Sequence, residues 1–136
     1  MRYILYFATV PCLLGGCKYE DSTRSGEVSI QPDDAPLTIS GEVDRVYLST
    51  PSEAYIVDGE RAIRVLKMGF VDAVVWNIGS AAASGIKDMG PNEWKEYICY
   101  EAAVIGKPAV VPPAGSWTAG QTFTCIDASE VPAAKS

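Results

Sequence analysis

The 12 glycines and 9 prolines of this chain are spread along its whole length, and the longest stretch free of both is residues 92–105. Proline removes a helix donor, and glycine costs about 1 kcal/mol in a helix interior, so long helices have little room. Between the breaks lie short β-branched and aromatic runs at residues 2–10, 27–30, 37–39, 43–49, 54–57, 61–67, 71–76, 97–105, 109–111 and 118–126. Runs of this length separated by turn residues are the pattern of an antiparallel sandwich or barrel. The chain is therefore expected to be all-β, an antiparallel β-sandwich. Residues 79–96, with three consecutive alanines, Gly85, Gly90 and Pro91, read as a long excursion holding about one helical turn. Val57-Asp58-Gly59-Glu60 sets an Asp-Gly pair between two runs, so residues 54–67 read as a β-hairpin.

A chain of 136 residues that is 48% apolar can build one core. We read residues 1–126 as the β-domain and residues 127–136, rich in Ala, Ser and Pro, as a flexible tail. With 11 basic and 17 acidic residues the net charge is -6. That balance, without a basic cluster, argues against nucleic acid and anionic membranes as partners. The chain contains no His, which removes the commonest metal ligand and the commonest general acid or base. Cys12, Cys17, Cys99 and Cys125 form no C-x-x-C pair, so they read as free thiols rather than a metal or redox motif. No apolar stretch approaches the roughly eighteen residues of a membrane span. Residues 3–14 followed by Gly15-Gly16-Cys17 have the outline of a lipoprotein signal, but Pro11 and Cys12 interrupt the apolar part, and Tyr3, Tyr6 and Phe7 suit a strand.

Two carboxylates interrupt β-forming runs. Glu101 sits inside Tyr97-Ile98-Cys99-Tyr100-Glu101-Ala102-Ala103-Val104-Ile105. A carboxylate partly removed from water holds its proton more tightly, which suits a general base, so Glu101 is the first catalytic candidate. Asp44 lies in Gly41-Glu42-Val43-Asp44-Arg45-Val46-Tyr47, where strand alternation sends Asp44 and Arg45 to opposite faces. Taken alone, each also fits a plain structural role: a strand-edge Glu, and a solvated strand end with a local charge pair.

These two segments, with Asp72-Ala73-Val74-Val75-Trp76-Asn77 between them and Lys107-Pro108 and Pro113-Ala114-Gly115-Ser116-Trp117 after, occur in an order and spacing that resemble the C-terminal half of the glucose-6-phosphate 1-epimerases. These are the hexose-6-phosphate mutarotases of the aldose 1-epimerase superfamily. The resemblance reaches back to Gly16-Cys17-Lys18-Tyr19-Glu20-Asp21-Ser22-Thr23, where the family has a strand end and loop. Residues 14–17 are then expected to be body rather than signal, Cys17 not to be lipidated, and the protein to be cytoplasmic.

The resemblance implies a β-supersandwich, of which this chain would be part, and interconversion of the α and β anomers of a hexose 6-phosphate without cofactor or metal. A carboxylate takes the anomeric hydroxyl proton while a His protonates the ring oxygen, and the ring opens and recloses. Carried over by motif, Glu101 is that base, and Asp44 is the substrate-binding residue that fixes the sugar hydroxyls. The family's catalytic His residues and phosphate-binding Arg lie upstream of the matched part. Asn77-Ile78-Gly79 replaces its usual Asn-Pro-Trp, and Ser80-Ala81-Ala82-Ala83-Ser84 lacks its basic loop residues. The competing reading is a non-catalytic β-domain: a truncated remnant, or a small carbohydrate-binding or lipid-anchored module. Half of a supersandwich is also expected to leave apolar sheet surface through which copies self-associate. Trp76, Trp94 and Trp117 read as core and rim packing rather than a sugar platform, and Arg61, Arg64 and Lys67 as a solvated strand rather than a phosphate site.

Overall fold

The computed structural model describes residues 3–6, 14–33 and 35–133. Its nine strands are β1 (Tyr3–Tyr6), β2 (Lys18–Asp21), β3 (Glu27–Ile30), β4 (Val43–Leu48), β5 (Glu53–Asp58), β6 (Arg61–Met68), β7 (Asp72–Asn77), β8 (Tyr97–Ala103) and β9 (Gly120–Asp127). They form a six-stranded sheet in the order β1-β8-β7-β4-β2-β3 and a three-stranded sheet in the order β5-β6-β9. Every pairing is antiparallel. The α-helix α1 (Gly79–Ala83) and a 3-10 turn at Glu93–Lys95 occupy the excursion expected to hold little helix. The chain is an antiparallel β-sandwich.

Alternation along the strands decides which side chains meet. Tyr47 on β4, Ala73 and Val75 on β7, and Ile98 and Tyr100 on β8 share one face of the large sheet. Ala54 and Ile56 on β5 and Ile63 and Val65 on β6 share one face of the small sheet. These two faces join in a single core with Leu14, Cys17 and Leu37, in which Tyr47, Ile56, Val65, Val75, Ile98 and Tyr100 are completely buried. Each such side chain contributes roughly 1.5–3 kcal/mol by leaving water. Leu14 and Cys17 flank a tight turn in which the Cys17 amide donates to the Leu14 carbonyl at 3.1 Å.

The hairpin at β5–β6 forms one residue later than an Asp-Gly turn would place it. Asp58 pairs with Arg61, so Gly59 and Glu60 are the two turn residues, and Gly59 alone takes a positive φ, 59°. Glycine first in the turn is the demand of a type II′ hairpin. Residues 109–111 form no strand, because Pro108, Pro112 and Pro113 around them cannot donate to a ladder. Only Leu37 of residues 37–39 makes a bridge. Of the first run, residues 3–6 are strand and the rest, with Cys12, lies outside the described residues. At the other end Asp127 caps a 3-10 turn at Ala128–Glu130, with Glu130 reaching back to the Asp127 amide.

Two buried polar side chains lock the ends of the large sheet. Asp72, 2% exposed, accepts from the amides of Ser49 (3.0 Å), Ile105 (2.7 Å) and Gly106 (2.9 Å), tying the start of β7 to the chain leaving β4 and β8. At the opposite end of β7, Asn77 donates from Nδ2 to the carbonyls of Trp94 (2.7 Å) and Tyr97 (2.8 Å) and accepts from the Gly79 amide at 2.9 Å. Asn77 thereby seats the excursion on the sheet. Asn77→Ala strands all three partners in a buried place, and the expected loss of stability is about 2–4 kcal/mol, read as a lower urea midpoint at unchanged slope.

Burial by itself would raise the Asp72 carboxyl, but the amides of Ile105, Ser49 and Gly106 together with the Lys67 charge outweigh it and hold Asp72 below the ordinary carboxylate range. At Asp21 burial is likewise outweighed, there by Thr23 and Arg45. A carboxylate lowered by folding contributes stability that is complete above the unfolded value, about pH 4, and disappears as the pH falls through the lower folded value. Thermal midpoints should therefore fall steeply below about pH 4. In Asp72→Asn the curve should be lower at pH 7 and flatter in acid.

Candidate functional site

The face of the large sheet turned away from the core carries both candidate carboxylates. Asp44 on β4 stands opposite Trp76 on β7, which stands opposite Cys99 on β8. In the next row Val46 faces Val74, and Val74 faces Glu101. Directly opposed residues point to the same side, as do residues two apart on one strand, so Asp44, Val46, Val74, Trp76 and Glu101 share one surface. Asp44 and Glu101 sit two strands and one row apart, roughly 10 Å across the sheet and 7 Å along it. They are too distant to share a proton and are spaced to address different atoms of one small polar ligand. Both are half-buried, as are Val46, Val74 and Trp76 between them.

The excursion after β7 walls one end of this surface. Ala83, Trp94, Tyr97 and Cys99 form a second buried cluster against which Trp76 and Ile78 pack. The Trp76 ring lies 6.3 Å from that of Tyr97 at an interplanar angle of 44°. Trp94 is thus core and Trp117, 48% exposed and edge-on to Phe70, is rim, but Trp76 lies beside Asp44 on the strand that separates the two carboxylates. Gly79 permits the close approach. Its φ is 69°, and a Cβ there would stand 2.4 Å from the Glu42 amide nitrogen. Any larger residue would lift the excursion off the strand that bears Asp44.

On the core side of β4 a polar cluster braces the same strand. Arg45 reaches Asp21 on β2 at 3.2 Å, lies 4.3 Å over the Tyr19 ring and donates to Gln31 at 3.4 Å. Tyr47 donates to the same Gln31 oxygen at 2.9 Å. The sequence placed Arg45 and Asp44 on opposite faces but gave Arg45 only a local charge partner. Its true partner stands 24 residues earlier, and the one visible hint was the Tyr19-x-Asp21 alternation.

Arg61 pairs with Asp58 and Arg64 with Glu53, as a solvated strand would. Lys67 departs from that expectation: it is 6% exposed and donates to the carbonyls of Phe70 (2.8 Å) and Thr50 (3.4 Å). Among the described residues Cys17 and Cys99 are buried and Cys125 is exposed. No group of three or more Cys, Asp or Glu side chains among the described residues could hold a metal ion, and no described helix is long and apolar enough to cross a membrane.

No protein-family model matches the chain. Over 113 residues it is 34% identical to a protein of Cenchrus ciliaris provisionally named a glucose-6-phosphate 1-epimerase, a match that covers 82% of this chain and 34% of that protein. The crystal structure of YeaD from Salmonella typhimurium, a provisionally named mutarotase, superposes with a TM-score of 0.83 over 93% of this chain and 44% of its own, at 21% identity. That of HI1317 superposes with a TM-score of 0.71 over 93% of this chain and 45% of its own, at 18% identity. The chain thus spans about a third of the curated relative and less than half of each solved structure. In fold and in sequence similarity it is a partial mutarotase-like domain.

Proposed function

We propose that this chain carries the two-carboxylate side of a site that interconverts the α and β anomers of a hexose 6-phosphate. The observation that supports it is the register of β4, β7 and β8, which sets Asp44 and Glu101 on one open surface. The similarity to the Cenchrus ciliaris protein, provisionally named a glucose-6-phosphate 1-epimerase, supports that substrate class. In this reading Glu101 accepts the proton of the anomeric hydroxyl, and the C1–O5 bond breaks as solvent water gives a proton to the ring oxygen. Rotation of the aldehyde and reclosure deliver the other anomer. Asp44 accepts from sugar hydroxyls and fixes the ring over Val74 and Trp76, whose apolar surface suits the C–H side of a pyranose. A cytoplasmic location belongs to the same proposal.

The His that serves the family as acid has no counterpart in this chain. That favours, as a second reading, a sugar-binding domain with little turnover of its own. Exchange NMR of glucose 6-phosphate, with spontaneous mutarotation subtracted, separates the two. The proposal expects slow turnover, below that of a full-length relative by about a hundredfold to ten-thousandfold, that falls to background in Glu101→Gln and weakens in Asp44→Asn. Binding without turnover favours the second reading. Turnover unchanged in Glu101→Gln removes Glu101 from the site.

We also propose self-association through the small sheet. Cys125 of β9 faces the same way as buried Ile63 yet is exposed, and the outer edge of β9 pairs with no described strand. Light scattering should give a mass above that of one 14.5 kDa chain. A sharp-melting monomer would refute it.

A further inference from the structure

At the end of the sandwich remote from Asp44, the β4–β5 and β6–β7 connections border an open, shallow cavity of about 530 Å³. Ser49, Thr50 and Ser52 line one side, and Lys67, Met68, Gly69, Phe70 and Val71 the other. Lys67 is the only charged residue in this lining, and it is 94% buried by the same measure that leaves it 6% exposed. Its ammonium meets two main-chain carbonyls and forms no ion pair among the described residues. The nearby carboxylate, Asp72, has its oxygens committed to the amides of Ser49, Ile105 and Gly106 and acts on Lys67 only at a distance. A buried cation whose carboxylate stands out of contact is only partly compensated, and an anion that reaches it recovers more of the cost of burial.

We propose that this cavity binds a small tetrahedral oxyanion of the phosphate class, with Lys67 as its charge. Lys67 carries three N–H donors, of which two are committed to carbonyls. The third is available to a phosphate oxygen, and the exposed hydroxyl residues Ser49 and Ser52 stand at the rim to meet two others. Met68, Phe70 and Val71 supply an apolar border, and the charge of Lys67 strengthens the contact with an anion. Burial pushes the Lys67 ammonium below its ordinary value, with Asp72 and Cys17 opposing. A bound anion would relieve the same desolvation. The site is distinct from Asp44, because Ser49 and Thr50 follow β4 whereas Asp44 stands at its start.

The test is a two-dimensional amide NMR titration of the whole chain with inorganic phosphate at pH 7 and constant ionic strength. Saturable shifts confined to residues 49–52 and 67–71 are expected. Lys67→Met, which keeps the stem and removes the charge, should weaken the response at least about tenfold. Parallel titrations with glucose 6-phosphate and glucose identify the source of the phosphoryl group. Shifts of the same amides by the ester and not by glucose assign a phosphate ester, and shifts by the inorganic ion alone assign free phosphate. Sodium chloride producing the same shifts, changes spread over the sheet face instead, or no response to either phosphate would overturn the proposal. Because the map is read on the native chain, it decides the matter even if Lys67→Met does not fold, and it leaves the Glu101 test untouched.

Discussion

Everything attributed to the open sheet surface depends on the register between β4, β7 and β8. Val46 meets Val74 and Val74 meets Glu101, while one position along each strand Tyr47, Ala73 and Ala102 stand in the other face. A slip of one residue between two strands would exchange these sets, burying a carboxylate and exposing a tyrosine. The core enforces the register, since Tyr47, Val75, Ile98 and Tyr100 fill the space beneath the small sheet completely. The position of the carboxylates is thus fixed by apolar packing on the opposite side of the sheet.

The sheet ends are fixed by a different physics. At one end Asp72 gathers three amides, and at the other Asn77 satisfies two carbonyls and an amide. Both side chains terminate β7, the strand between the two carboxylates. Arg45 adds a brace from the core side, joining β4 to β2 through Asp21. The cavity around Lys67 lies at the Asp72 end, and among the described residues Lys67 is held by main-chain carbonyls as Asp72 is by main-chain amides, with no ion-pair contact between them.

Most strands were legible because turn residues bound apolar runs, and β3 through β9 fall within two residues of where those runs predict them. Lys18-Tyr19-Glu20-Asp21 was not legible as a strand from its own residues: three of the four are charged, and only its pairing with both β3 and β4 makes it one. The hairpin was visible but its turn residues were displaced, because Asp58 is held in the ladder opposite Arg61. Glu101 and Asp44 are candidates through motif resemblance, and strand alternation predicts which face each takes but not that the two faces coincide. That coincidence needs the strand order, in which β7 stands between β4 and β8. Burial of Lys67 could not be read from alternation alone, since Arg61 shares its parity and is exposed.

The pairing of β1 with β8 brings Tyr3 opposite Tyr100, so a strand at residues 3–6 waits for one at residues 97–103. A contact between residues this far apart closes a long loop and is slow to form. During synthesis the apolar segment Tyr3-Ile4-Leu5-Tyr6 has no strand to join until β8 has emerged, while the β5–β6 hairpin can close as soon as its own residues appear. By this order of emergence the large sheet grows from the β2–β3 hairpin at one edge through β4, β7 and β8, and β1 joins at the other edge once β8 is in place.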